Sequence, residues 1–198
     1  AALLRANVIA RRAMAMGRHP FGALLLAPDG ETVLAEQGNI DTVNHAESTL
    51  ARTAAANYPG TYLAQCTLVT TFEPCAMCAG TIYWAGIGHV VYGAEEAALL
   101  ALTGDHPENP TLSLPCREVF TRGQRQVQVG LAAVKTHGDF QGGVLQLLLA
   151  VRLRQHHHFD AGEQLVGVQL EVQAAQRQPR ARLDAQVFIA QAGAQDAR

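Results

Sequence analysis

Two short stretches of this 198-residue chain carry side chains able to do chemistry: His45-Ala46-Glu47 and, about thirty positions later, Pro74-Cys75-Ala76-Met77-Cys78. Imidazole and thiolate are good zinc ligands. A C-x-x-C pair at a helix start can aim both sulfurs at one ion while the helix dipole favours their ionised form. One histidine and two cysteines make three ligands. A structural zinc site is normally closed by four protein ligands, whereas a catalytic one keeps a position for water, so three ligands point to catalysis. The other two cysteines, Cys66 and Cys116, read as packing residues: one opens an apolar strand, and the other lies far downstream without a partner. Zinc lowers the pKa of bound water from about 16 to about 7, which makes hydroxide available at neutral pH. Glu47, two residues past the histidine, stands where a carboxylate could take that proton. Taken alone, it would read as a helix-start glutamate stabilised by the dipole.

The elements that must position these groups follow from apolar spacing and breakers. Leu3, Leu4, Val8, Ile9 and Ala13 recur with helical period, and Gly17 is placed to stop that helix. A strand from Phe21 to Ala27, the turn Pro28-Asp29-Gly30 and a return strand from Thr32 to Glu36 make a hairpin. The alanine-rich stretch Ala46 to Asn57 predicts a helix, which puts His45 and Glu47 at its N-terminus. Cys66 to Phe72 reads as a strand. Pro74 suits the first turn of a helix running to Trp84, which places Cys75 and Cys78 at a second helix N-terminus. His89 to Tyr92 predicts a strand, Ala94 to Leu102 a helix, Thr103 to Pro110 a loop, Cys116 to Thr121 a short helix and Val127 to Val129 a last strand. Alternating helices and strands predict a layered α/β sandwich.

Composition narrows the class. Hydrophobic residues make up 48% and charged residues 16%, which suits a folded globular chain rather than a disordered one. Four cysteines are too few for a disulfide scaffold of this size and point to a reducing cytoplasm. No apolar run approaches the roughly 20 residues a membrane helix needs. Beyond residue 130 the character changes: the last 68 residues hold 11 Gln against 5 in residues 1–130, and they include His156-His157-His158. Residues 1–130 are therefore expected to form one domain. Residues 131–198 are expected to be a Gln-rich, poorly ordered extension, with the triple histidine a solvated cluster.

Together the two stretches match the H-x-E and P-C-x-x-C signature of zinc deaminases. Pro20-Phe21-Gly22-Ala23, Gly38-Asn39 and the run Thr71 to Gly80 extend the match. From about Leu3 to Val129 the chain resembles the cytidine/guanine/tRNA-adenosine deaminase superfamily, closest to the guanine-type nucleobase deaminases. The resemblance implies a three-layer α/β/α sandwich with a central five-stranded mixed sheet. It also implies one Zn2+ per subunit on His45, Cys75 and Cys78, with Glu47 as proton shuttle, and a homodimer whose partner helps wall the pocket. Asn39 matches the asparagine that hydrogen-bonds the base, and Phe21 is placed with it among the substrate-binding residues. Glu73 is expected to be structural. After Val129 no match is found to the acidic segment and aromatic-bearing C-terminal helix with which such proteins usually close.

Ile82-Tyr83-Trp84-Ala85 looks more like the guanine deaminases than the tRNA-editing branch, because Trp84 could stack on a purine; core packing is its alternative reading. His106-Pro107-Glu108-Asn109 resembles a segment whose carboxylate recognises the amidine edge of the ring, while a solvated loop glutamate is the plainer reading. Residues 1–130 carry 8 positive and 11 negative side chains, which does not predict a basic face for nucleic acid. The expected substrate is thus a small free nucleobase, guanine or isocytosine-like. The alternatives are tRNA adenosine deamination, favoured by T-x-E-P-C-x-M-C-A-G, and a non-catalytic zinc-stabilised binding module.

Overall fold

The computed structural model describes residues 1–103 and 112–132, all within one compact unit. The element order is α1 (Ala2–Ala15), β1 (Gly22–Leu26), β2 (Val33–Gly38), α2 (Ala46–Asn57), α3 (Gly60–Leu63), β3 (Thr67–Phe72), α4 (Ala76–Ala85), β4 (His89–Ala94), α5 (Glu96–Thr103), α6 (Cys116–Thr121) and β5 (Gln128–Leu131). The strands form one sheet in the order β2-β1-β3-β4-β5. β1 pairs antiparallel with β2 and β3, while β3–β4 and β4–β5 are parallel, so the expected five-stranded mixed sheet is present.

Strand β1 explains the three layers. All five of its residues are buried. Ala23 and Leu25 pack with Leu50, Ala51 and Ala54 of α2 and Ala79 and Ile82 of α4, whereas Leu24 and Leu26 pack with Ala6 and Ile9 of α1. A strand covered on both faces reads as an unbroken apolar run rather than an alternating one. The turn after β1 forms as its residues predict: Asp29 Oδ1 accepts from the amides of Glu31 at 2.9 Å and Thr32 at 2.8 Å, and Gly30 adopts φ +73°.

Several boundaries differ from the sequence reading. β2 runs on to Gly38, because Gln37 and Gly38 pair with Ala23 and Gly22. Pro74 lies outside its helix. Cys75 is the N-cap, and α4 starts at Ala76. β4 extends to Ala94, paired with Phe72, which delays α5 to Glu96. The short α3 was not expected; its four residues, which follow Pro59 as N-cap, are too few to show a period. Glu108, His156 to His158 and nearly all of the Gln-rich stretch lie outside the described residues. Among the described residues, no helix is long and apolar enough to cross a membrane.

Gly22 is required by close packing. A Cβ there would meet the Ala6 carbonyl oxygen at 2.4 Å and the Ala10 nitrogen at 2.6 Å, both backbone atoms of α1. At Gly80, inside α4, an added Cβ meets nothing within 4 Å. In urea unfolding, Gly22→Ala is expected to lower stability by about 3 kcal/mol through overpacking. Gly80→Ala should raise it by about 0.5–1 kcal/mol through helix propensity. An unchanged midpoint for Gly22→Ala would contradict the contact between α1 and β1.

Candidate active site

Two helices begin at a candidate ligand. His45 is the N-cap of α2 and Cys75 the N-cap of α4, and neither side chain caps its own helix. Each is thereby left to point elsewhere. His45 Nδ1 lies 3.6 Å from the Sγ of Cys75 and 3.6 Å from the Sγ of Cys78, and the three donor atoms lie within 4.8 Å of one another. A tetrahedral ion with Zn–S of about 2.3 Å and Zn–N of about 2.05 Å would hold nitrogen and sulfur about 3.6 Å apart, so the donor set fits zinc in element and in spacing. It is also the one such group of metal donors among the described residues.

The electrostatics follow from this clustering. The Cys75 thiol is pushed down to about 4, first by hydrogen bonding with Cys78 and then by His45. The same pairing, together with burial, pushes Cys78 up. His45 is raised, chiefly by its contact with Cys75. The positive ends of α2 and α4 both face this negative cluster.

Glu47, in the first turn of α2, is 5% exposed. Its Oε1 accepts from the Thr70 hydroxyl at 2.6 Å, and Oε2 lies 3.6 Å from the Cys78 sulfur. One oxygen is thus anchored on β3 and the other faces the metal donors. Burial pushes its carboxyl above the usual range, with the Thr70 hydrogen bond opposing.

Asn39 is 1% exposed, at the end of β2. Its amide nitrogen donates to the Asp41 carbonyl at 3.0 Å and its backbone amide to the Phe21 carbonyl at 2.9 Å, while Oδ1 has no partner. Asp41 folds the following loop by accepting from the amides of Val43 at 2.8 Å and Asn44 at 2.7 Å. Phe21, beside Asn39, is half-buried and meets Phe72 edge-on, with ring centroids 5.5 Å apart.

Trp84 is not brought to this cluster. It is 77% exposed, so the core-packing alternative also fails. It lies nine positions after Cys75, about 13 Å along α4. It sits edge-on to Tyr83, and Arg125 donates to the carbonyls of both residues near the helix end, beside the left-handed Gly86.

Sequence reasoning missed Thr70, Asp41 and Glu96. Glu96, the first residue of α5, is half-buried. Its carboxyl is pushed up to about 7, by burial first and then by the charges of Cys75, Glu47 and Glu73. Glu73 meets its structural expectation: it is buried, and its two oxygens accept from the amides of Glu96 at 3.2 Å and Cys116 at 3.0 Å, the first residues of α5 and α6.

The family model of the cytidine and deoxycytidylate deaminase zinc-binding region matches residues 1–94, which include all three ligands and Glu47. The chain carries that zinc-binding region, over just under half of its length. Its zinc site is His45, Cys75 and Cys78. Over 130 residues, covering 64% of this chain and 79% of the relative, the chain is 29% identical to a probable cytosine deaminase of Schizosaccharomyces pombe. It is 43% identical over 110 residues to a tRNA(Ile)-lysidine synthase of Deinococcus radiodurans, covering 52% of this chain and 19% of that protein. It is 42% identical over 80 residues to a guanine deaminase of Bacillus subtilis, covering 38% of this chain and 51% of the other. The chain thus spans about half or less of these two bacterial relatives. A solved guanine deaminase from Nitrosomonas europaea shares the fold, with TM-score 0.54 at 21% identity over 77% of this chain and 83% of that one.

Replacing a ligand tests the site directly. Cys78→Ser is expected to weaken zinc binding more than about 100-fold, beyond the 10–100-fold typical of residues that merely orient ligands. Metal content after dialysis against a competing chelator measures this. The full zinc content of wild type retained in the variant would remove Cys78 from the site.

Proposed function

We propose that the protein hydrolyses the exocyclic amino group of a free nucleobase with a guanine-like or isocytosine-like edge, releasing ammonia. The observation that carries this reading is a buried carboxylate with one oxygen anchored by Thr70 and the other turned to the three metal donors. Zinc, when bound, supplies a Lewis acid that makes water acidic enough to lose a proton near neutral pH. Glu47 is placed to take that proton at Oε2 and to deliver it to the ring nitrogen beside the reacting carbon. A second proton, relayed by the same carboxyl, goes to the amine. The C–N bond then breaks, a C=O bond stands in its place, and nitrogen departs as ammonia. Burial raises the carboxyl's pKa and brings it closer to the working pH, where a group that both takes and gives protons is most effective.

Asn39 and Phe21 form the substrate side of this reading. The unpartnered Oδ1 of Asn39 is an acceptor waiting in a buried place, and the base can satisfy it with an N–H. Phe21 offers a ring face or edge alongside. The choice of a guanine-like base is supported by the Bacillus subtilis relative, a guanine deaminase by name. A tRNA substrate is disfavoured by charge, because residues 1–130 contain no lysine and carry net negative charge. The T-x-E-P-C-x-M-C-A-G run, from Thr71 to Gly80, favours tRNA adenosine as the second reading. A homodimer would cover the outward side of α4, a helix without a charged residue whose Trp84 stands exposed.

Ammonia release from guanine, isocytosine, cytosine, cytidine, adenosine and a tRNA anticodon hairpin decides among these substrates. Turnover of guanine or isocytosine is expected, and turnover confined to the hairpin would reject the free-base assignment while leaving the zinc site intact. Glu47→Ala should keep its zinc and lose about 100-fold to 10,000-fold in kcat. A variant that keeps full rate would instead indicate that Glu47 moves no proton.

A further inference from the structure

Five exposed residues separate the buried Asn39 from the half-buried His45, and none of them belongs to a helix or strand. Their apolar members do not hold them in place: Ile40 is 38% exposed and Val43 62%. A short exposed loop without a buried anchor takes its shape from local hydrogen bonds, and here these converge on Asp41. Its Oδ1 accepts from the amides of Val43 at 2.8 Å and Asn44 at 2.7 Å, and its Oδ2 accepts from the Asn44 side-chain amide at 2.9 Å. The loop closes where the Ile40 amide donates to the Asn44 carbonyl at 3.1 Å.

Both ends of this loop are site residues. At one end the Asp41 carbonyl accepts from Nδ2 of Asn39 at 3.0 Å, which commits the nitrogen and leaves the buried Oδ1 as the open end of the amide. A flipped amide would set Oδ1 against the carbonyl oxygen, acceptor on acceptor, so the backbone at Asp41 fixes which end of Asn39 is presented. At the other end His45 is the N-cap of α2, with Nδ1 3.6 Å from each of the two sulfurs, and the Thr42 backbone is among the groups that hydrogen-bond its side chain. A ligating histidine is aimed by what its other ring nitrogen meets.

We infer that Asp41 is a positioning residue for both halves of the site: by folding residues 40–44 it aims the His45 ring at the sulfurs and holds the Asn39 amide with its oxygen open to a donor. The Asn39 half rests on the free-base reading above, which supplies the N–H, whereas the His45 half rests on the zinc site alone. Asp29 makes the same pattern elsewhere, since its Oδ1 also accepts from the amides two and three residues on, but it folds the β1–β2 hairpin. It serves as the internal control.

Full-length wild type is compared with Asp41→Ala, Asp41→Asn and Asp29→Ala. Zinc affinity is measured by competition with a chromogenic chelator, KM for guanine and isocytosine by ammonia release, and Tm on the zinc-loaded proteins. Asp41→Ala is expected to weaken zinc binding about 10–100-fold and to raise KM about 10-fold. Asp41→Asn, whose Oδ1 still accepts from both amides, should restore most of each. Asp29→Ala should lower Tm and leave zinc affinity and KM within twofold of wild type. Zinc affinity within twofold of wild type in Asp41→Ala would overturn the His45 half, and unchanged KM would overturn the Asn39 half. Equal losses of zinc affinity in Asp29→Ala and Asp41→Ala would reduce the effect to general stability and overturn the positioning role. Wild type inactive on both bases would overturn the free-base reading and the Asn39 half with it, while the His45 half is decided by the zinc measurement.

Discussion

Two thiols, an imidazole and a buried carboxyl converge where there is little water to solvate charge, and the rest of the molecule is arranged around making that tolerable. Burying unpaired charge is costly, and it becomes acceptable when positive groups face it. Here the positive groups are the N-termini of α2 and α4 and the zinc ion that the donor spacing fits. Both helices must therefore start at the same place and run close together. Their facing residues meet that requirement by being small: Ala46, Ala51 and Ala54 of α2 and Ala79 of α4 are fully or almost fully buried. Larger residues there would hold the helices apart and pull His45 from the sulfurs.

The sheet supplies the second half of the arrangement. β3 carries two consecutive buried threonines, Thr70 and Thr71, in a strand whose other buried residues, Leu68, Val69 and Phe72, are apolar. Buried hydroxyls need partners. Thr70 finds Glu47, and Thr71 accepts from the Gly22 amide at 3.3 Å. The first bond turns the carboxyl toward the metal, and the second ties β1, whose preceding residue is Phe21, to the same strand. Glu73 continues this role past the strand end, where it anchors α5 and α6 to the loop bearing Cys75. From Thr70 to Cys78, one stretch of nine residues both lines the site and fastens neighbouring elements to it.

How much of this could be read from the letters depended on whether a residue's role is local. His45, Cys75 and Cys78 were legible because zinc ligation demands particular elements at short spacings, and helix starts are marked by local chemistry. The helix Ala46–Asn57 matched its alanine-rich run end to end, and α6 matched at Cys116–Thr121. Trp84 was given a pocket or a core to occupy, and in the single chain its side chain is exposed at the far end of α4. Thr70 and Glu96 were missed because their neighbours come from other elements, through the pairing of β3 with β1 and β4. The two threonines did leave a trace: polar side chains inside a strand too apolar to have a wet face. Glu96 left none, since an acidic residue in a first helical turn is ordinary.

The metal donors and the proposed substrate residues are held by different parts of the fold. His45, Glu47, Cys75 and Cys78 come from two helix starts and can be kept together by one packing arrangement. Asn39 and Phe21, on the proposed substrate side, follow β2 and precede β1. Each can be moved by a change that spares the Asp41 loop, without disturbing the zinc. Proteins named for cytosine and for guanine deamination match stretches of the same chain. A fold that separates its reaction from its recognition in this way lets the substrate change while the hydrolysis stays the same. The residues that decide the substrate must then be sought in the loops at the strand ends rather than beside the metal.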